Sequence, residues 1–314
     1  MILLTGAAGF IGSNILAALN ARGQTDILAV DDLTEGVKCA NLAGKSFADY
    51  LDGDELLASL GSLPPLTAIL HQGACVDTTA RDGRAVMRLN YTYSKRLLAL
   101  AEAHRCPFLY ASSAAVYGDG RHGFREEPAC EDARTPYAFS KWAFDQHVHR
   151  AQRVPTVPVV GLRYFNVYGP GEGHKGRMAS VAWHCFQAVK RGEAPRLFAG
   201  SDGFLRDFIA VSDVAAVNLF FLDEGLAGRL QALVVNVGTG TPRSFADMGR
   251  IVSAVSGSPA PVTIPFPDDL LGQYQAYTCA DTTRLRGAGW TKPMMTLEEG
   301  IAAYWKALSA EPRG

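Results

Sequence analysis

The sequence predicts an α/β chain, a doubly wound parallel sheet with a smaller C-terminal lobe, and three observations predict it. Residues 1–31 read strand, glycine turn, helix, strand, acid: Met1–Leu4 is apolar, Gly6, Gly9 and Gly12 punctuate the turn, Ser13–Arg22 has helical spacing, and Ile27–Val30 closes on Asp31. Strand-length apolar runs then alternate with helix-length segments over about 170 residues, which implies right-handed crossovers and helices on both sheet faces. Beyond Gly169-Pro170 the alternation loosens.

Each element has its own reason. Gly6 permits the tight turn, Gly9 lets backbone approach a pyrophosphate, and Gly12 lets the helix pack against the strand with its N-terminal amides aimed at phosphate. Asp31, about 20 residues on, stands where a carboxylate holds an adenosine ribose. The alternative is a structural glycine turn. After mixed signals to Asp54 come a helical piece at Glu55–Leu60, a turn at Pro64-Pro65 and a buried strand at Ala68–His71. A long helix is expected from about Asp82 to His104, with Val86, Leu89, Leu97, Leu98 and Ala101 on its apolar stripe. Phe108–Ser112 reads as a strand, Tyr137–Ala151 as a helix and Val157–Arg163 as a strand. Further on, Ala179–Lys190 is helical, Phe208–Ala210 is a strand, Asp213 is a candidate N-cap, Val234–Val237 is a strand and Ser244–Val255 a helix. Pro259, Pro261, Pro265 and Pro267 precede a last helix opened by the capping-box pattern Thr296-Leu-Glu-Glu299. The expected division is a dinucleotide-binding domain over 1–168, with later segments of about 208–240 interleaved, and a mainly substrate-binding lobe over 169–314.

Composition narrows the function. At 314 residues, 48% hydrophobic and 19% charged, the chain can bury a large core. A net charge of −1 without runs of like charge leaves no footprint for nucleic acid or an anionic membrane. The cysteines, at 39, 75, 106, 130, 185 and 279, have no zinc-like spacing and read as free thiols, and no metal site is expected. His147 and His149, two apart on a helix, do not share a face. No leader is recognised and no apolar run reaches the ~18 residues of a membrane span, so a cytoplasmic protein is expected.

The chemistry gathers at Tyr137-Ala-Phe-Ser-Lys141. Residues four apart share a helix face, so the Lys141 ammonium can sit near the Tyr137 phenol and lower its pKa towards that of a useful base. A packed tyrosine at an ordinary helix N-terminus is the alternative. Ser113, ending the strand before it at the carboxyl edge of the sheet, can hydrogen-bond the same substrate oxygen.

Taken together, Gly6-x-x-Gly9-x-x-Gly12, Ser113, Tyr137-x-x-x-Lys141 and Arg163-Tyr-Phe-Asn166-Val-Tyr168-Gly169-Pro170 resemble the extended short-chain dehydrogenase/reductase superfamily, whose members act on nucleotide sugars. The run Asn166 to Ala182, with Gly-His174-Lys175-Gly-Arg, resembles within it the ADP-glycero-manno-heptose 6-epimerase family. So do His71-Gln-Gly-Ala-Cys75, Asn90-Tyr-Thr-Tyr-Ser-Lys95, Arg206-Asp-Phe208 and Gln273-Tyr274-Gln-Ala. The resemblance implies a Rossmann-like fold, a tightly held nicotinamide cofactor, an ADP-heptose substrate destined for lipopolysaccharide, and homo-oligomers, often pentamers. It implies inversion at C6 by oxidation to a ketone, rotation and re-reduction, with Tyr137 and Lys175 as acid/base groups on opposite sides. A solvated loop lysine or a phosphate contact is the alternative for Lys175.

By the same resemblance the cofactor contacts are Gly6, Gly9, Phe10, Ile11, Gly12, Asp31, Asp32, Lys38, Gln72, Gly73, Ala74, Cys75, Val76, Asn90, Tyr137, Lys141, Val167 and Lys175. Those to substrate are Asn166, Arg177, His184, Phe198, Ala199, Gly200, Ser201, Arg206 and Tyr274. Arg206 could equally be a surface arginine and His184 a satisfied core histidine. Two departures bear on the cofactor: Asp32 replaces an asparagine frequent in the family, and Gly53 a lysine. The family commonly uses NADP, and Lys38 remains to attract its 2'-phosphate, so NADP is expected ahead of NAD. Arg177 replaces a smaller residue usual in the substrate loop. A UDP-hexose 4-epimerase shares Ser113, Tyr137 and Lys141 but has no role for Lys175. A 4,6-dehydratase needs an acidic pair where this chain has Ala114-Ala115. A non-catalytic dinucleotide sensor would not need the four groups together.

Overall fold

The computed structural model describes residues 1–77, 80–149, 156–266 and 275–310. In chain order, the first part comprises β1 (Ile2–Thr5), α1 (Phe10–Ala21), β2 (Ile27–Val30), β3 (Asp49–Leu51), α2 (Gly53–Ser59), β4 (Ala68–His71), α3 (Gly83–Met87), α4 (Tyr93–His104), β5 (Phe108–Ser113), α5 (Pro136–His149) and β6 (Val159–Tyr164). There follow β7 (Asn166–Tyr168), α6 (Val181–Lys190), β8 (Arg196–Phe198), β9 (Leu205–Arg206), β10 (Phe208–Ala210), α7 (Val211–Leu226), β11 (Ala232–Val237), β12 (Arg243–Ser244), α8 (Phe245–Ser256), β13 (Val262–Ile264), α9 (Thr283–Gly287) and α10 (Leu297–Ala310).

Seven strands form one parallel sheet in the order β3-β2-β1-β4-β5-β6-β11, a Rossmann-like doubly wound arrangement. Strand order reverses between β1 and β4, so a crevice opens beyond their carboxyl ends. The central strands β1, β2 and β4 are buried at every position, as continuous apolar runs covered on both faces must be. One core lies between the sheet and α1 and α7, around Leu4, Ile15, Leu162 and Phe221, and another on the opposite face, around Leu3, Leu97, Phe108 and Phe144. A third cluster, including Phe186, Met248, Ile301 and Tyr304, belongs to α6, α8 and α10.

The predicted elements recur with shifted ends, and three differences have physical causes. The long helix is interrupted by a π-helical turn at Arg88–Thr92, which rotates the face: Leu89, placed on the apolar stripe, is 44% exposed, while Asn90 is buried. Asp213 is not an N-cap, since α7 begins at Val211; its carboxylate instead accepts from Met295 N at 2.8 Å. β3, β7, β8, β9, β12 and β13 had no signal of their own, being two or three residues long, whereas β10 has the bounds expected for it, Phe208–Ala210, and pairs with β7. The last helix does open on its capping box, with Thr296 N donating to Glu299 Oε2 at 2.8 Å and Glu299 N to Thr296 Oγ1 at 3.2 Å. All six cysteines are free, and among the described residues no helix is long and apolar enough to cross a membrane.

Candidate active site

The glycine turn between β1 and α1 is shaped for a phosphate. Gly6 has φ +69°, and a Cβ there would lie 2.7 Å from Gly73 N; a Cβ on Gly12 would lie 1.9 Å from Gly6 O. Gly9 caps α1 with no side chain over the end, and no acidic residue occupies the first turn. The helix N-terminus is therefore left for an anion, and these residues fit a dinucleotide. At the end of β2, Asp31 Oδ2 accepts from Ala8 N at 2.8 Å, and Oδ1 from Asp32 N at 2.8 Å and Lys38 Nζ at 2.7 Å. Lys38, expected to attract a 2'-phosphate, is thus already paired with a carboxylate. Tyr50, whose hydroxyl donates to Asp31 O, has its phenol pushed up to about 12 by burial and then by the charges of Asp31, Asp52 and Asp32.

Across the switch point, the loop after β4 carries the predicted contacts Gln72 to Val76. A buried polar chain fixes it. Gly73 N lies 3.2 Å from Thr5 Oγ1, Thr5 Oγ1 2.6 Å from His71 Nδ1, His71 Nε2 2.8 Å from Ser94 Oγ, and Ser94 donates to Asn90 O at 2.6 Å. Each hydroxyl has one proton, so the directions assign His71 the neutral tautomer protonated on Nε2. Burial, with Lys141 nearby, holds its pKa down to about 3. Asn90 clasps Cys75, accepting from its N at 2.7 Å and donating to its O at 3.0 Å, while its other amide hydrogen goes to Ser140 Oγ. Both amide hydrogens of its side chain are thus used within the protein. Gln72 is likewise held by Tyr164 and Asn218, and Val76 is 57% exposed.

Ser113 and Tyr137 meet at the carboxyl end of β5. Tyr137 is hydrogen-bonded to Ser113, which lowers its pKa, but burial dominates and the net shift is upward. Lys141 does not pull the phenol down as expected. Its Nζ donates to Ala111 O at 2.9 Å and lies 6.0 Å from the Tyr137 ring centroid. Burial lowers the Lys141 pKa to about 8, against the opposing charge of Asp145. Asp145, one helical turn on, is fully buried: Tyr110 Oη donates to its Oδ1, and Ser112 Oγ and Arg163 Nε to its Oδ2, all at 2.9 Å. Arg163 also pairs with Glu131 and donates to Tyr117 Oη at 3.0 Å. No motif announced Asp145 or Glu131; only the spacing of Asp145 four after Lys141 was available as a signal.

Lys175 comes to the start of α1 from a later part of the chain, on a 3-10 turn, Gly173–Met178. Its Nζ lies 5.0 Å from the Phe10 ring centroid and 4.0 Å from Glu172 Oε2. Burial lowers its pKa, with Glu172 opposing. Val167, on β7, packs against the same core cluster as Ile11. Asn166 accepts from Thr278 Oγ1 at 3.1 Å. Arg206 is buried; its guanidinium lies over Phe245 and donates to Leu205 O and Gln275 O. Ser201 donates to Phe198 O at 2.6 Å, and Ala199 and Gly200 are exposed. His184 and Arg177 are exposed, so His184 is no core histidine. Tyr274 lies outside the described residues.

Residues 2–238 match the profile of the Epimerase family, described as the NAD dependent epimerase/dehydratase family. The fold is similar to the ADP-L-glycero-D-manno-heptose-6-epimerase of Helicobacter pylori, with 28% identity, coverage of 99% of this chain and 96% of that one, and a TM-score of 0.85. It is also similar to the UDP-glucose 4-epimerase of Thermotoga maritima crystallised with UDP-glucose, at 26% identity, 98% of both chains and a TM-score of 0.83. The UDP-glucose 4-epimerase of Thermus thermophilus in complex with NAD gives 26% identity, 98% of this chain, 99% of that one and a TM-score of 0.78.

Proposed function

The chain belongs to the NAD dependent epimerase/dehydratase family, and from that premise we propose that it is a cytoplasmic, homo-oligomeric ADP-glycero-manno-heptose 6-epimerase serving lipopolysaccharide synthesis. The observation that carries this reading is Lys175. A second ammonium, outside the Ser113, Tyr137 and Lys141 set, sits at the dinucleotide turn with its charged form disfavoured by burial. The bound nicotinamide dinucleotide supplies the hydride acceptor and donor. Tyr137, kept as a phenol by burial, is suited to give a proton to the C6 oxygen. Lys175, disposed to lose its proton, is suited to take one from the opposite side. In this reading Ser113 would share the substrate oxygen, Lys141 would orient the cofactor and Arg206 would hold the diphosphate. Similarity to the heptose epimerase supports the substrate; that to the UDP-glucose 4-epimerases supports the alternative, in which Lys175 has no task.

For the cofactor, the surroundings of the ribose favour NAD over the NADP expected from resemblance. Lys38 is neutralised by Asp31, and Asp31, Asp32 and Asp52 together act on Tyr50, so a 2'-phosphate would meet net negative charge. Protein purified without added cofactor, incubated with ADP-D-glycero-D-manno-heptose and followed by proton NMR at C6, is expected to reach an epimeric mixture. Lys175→Ala is expected to lose most of the rate. No conversion with either dinucleotide added would refute the heptose assignment; conversion of UDP-glucose undisturbed by Lys175→Ala would establish the 4-epimerase instead.

A further inference from the structure

The segment that carries Lys175 is fastened from both ends. Asn14, on α1, donates Nδ2 to Pro170 O and to Phe10 O, each at 2.9 Å. Asn41, closing the 3-10 turn Gly36–Asn41, donates Nδ2 to Ala8 O at 2.9 Å and Gly171 O at 3.0 Å, with His174 Nδ1 3.3 Å from the same nitrogen. An amide nitrogen has two hydrogens, so each asparagine joins one carbonyl of the dinucleotide turn to one of the Lys175 segment. The fit is close: Gly171 has φ +92°, and a Cβ on it would lie 3.4 Å from both Asn14 Nδ2 and Ser13 Oγ. On the far side, fully buried Glu172 accepts from Gly169 N at 3.3 Å, Ser180 N at 2.6 Å and Ser180 Oγ at 2.7 Å. That anchors the segment to the start of α6, since Ser180 is the N-cap of that helix.

We propose that Asn14 and Asn41 are positioning residues that strap residues 170–175 along the dinucleotide turn, so that bound dinucleotide leaves only when the strap opens and the Lys175 ammonium is held over Phe10 meanwhile. The proposal rests on the family reading of that turn as a dinucleotide site, not on the identity of the sugar. It explains why the two asparagines spend both amide hydrogens on main-chain carbonyls, one of the turn and one of the segment. A Glu172 anchor alone would fix the segment to α6 and leave its other edge free to swing from the turn.

The test uses holo-protein loaded with isotopically labelled dinucleotide, NAD or NADP, whichever the native chain retains, and chased with excess unlabelled compound in the absence of sugar. Asn41→Ala and Asn14→Ala are each expected to release the label about tenfold faster, as for loss of one or two hydrogen bonds, and the double variant faster still. The melting temperature of each dinucleotide-free single variant is expected within about 3 °C of native, the scale of two part-buried hydrogen bonds in a chain of this length. With sugar present, kcat should fall more than KM rises. Asn41→Ser, which keeps one donor, is the milder variant should an alanine variant fail to fold. Native release rates in the folded variants would overturn the strap, as would a native chain that retains no dinucleotide. Faster release in a protein inactive on ADP-heptose would sustain the strap while removing the substrate assignment.

Discussion

Replacing Asp145 separates charge from shape beneath the Tyr137 and Lys141 pair. Asp145→Asn keeps the outline of a 1%-exposed side chain. Its carbonyl can still accept from Ser112 and Arg163, and its amide can donate to Tyr110 Oη, but the buried Tyr110 hydroxyl hydrogen, which donates to Oδ1 in the native chain, then loses its acceptor. What it removes is one of two carboxylates facing Arg163, with Glu131 remaining. The cost is then that of exchanging a charged for a neutral hydrogen bond and of leaving one buried hydroxyl hydrogen unpaired, about 2–4 kcal/mol. Asp145→Ala abandons all three donors and should cost about 3–5 kcal/mol, the range for breaking a buried pair. The functional effect is on Lys141. At the ~6 Å typical of an i,i+4 pair and an effective dielectric of about 20, one unit charge is worth about 3 kcal/mol, or about two pK units. Loss of that charge, which now raises the Lys141 pKa, lets burial carry it below its present value of about 8. Urea unfolding at pH 7 reads the stability, and the alkaline limb of the pH–rate profile, expected to move towards neutrality, reads the lysine. An Asp145→Asn protein with native stability and a native profile would refute the reasoning.

Gly12→Ala should abolish dinucleotide retention and destabilise the fold by about 1–3 kcal/mol despite alanine's better helix propensity, because its Cβ would lie 1.9 Å from the Gly6 carbonyl, a main-chain atom that cannot rotate away; calorimetry and cofactor content check it. His71 gives an acid-side dependence. Its pKa is about 3 in the fold against 6.5 for the free side chain, so between those values the unfolded chain binds the extra proton and stability falls as pH falls. About 2 kcal/mol should be lost between pH 6.5 and 5, and the part due to His71 should vanish in His71→Asn, as urea titrations at the two pH values will show. The pair Asp32→Asn and Gly53→Lys should move dinucleotide preference towards NADP by about tenfold or more, at about 1.4 kcal/mol per tenfold, read by competitive binding to dinucleotide-free protein.

Local order was legible because it is written in short range. Gly6, Gly9, Gly12 and Asp31 announce a βαβ unit through turn geometry and spacing alone, and Tyr137 with Lys141 share a face by helix periodicity. Continuous apolar runs at Ile27–Val30 and Ala68–His71 marked strands buried on both faces. What needed tertiary structure was the choice of partner for each charged group. Lys38 looked available to a phosphate until the fold brought it to Asp31, and Lys141 looked poised on Tyr137 until Ala111 O claimed its ammonium. Asp145, Glu131 and Arg163 lie up to 32 residues apart and have no common motif. Asn14 and Asn41 meet residues 170–171 only after more than a hundred intervening residues have folded. Periodicity and turn chemistry act between neighbours in sequence and so can be read from it. Desolvation and ion pairing act between neighbours in space, and they decided which of these groups hold the site and which face it.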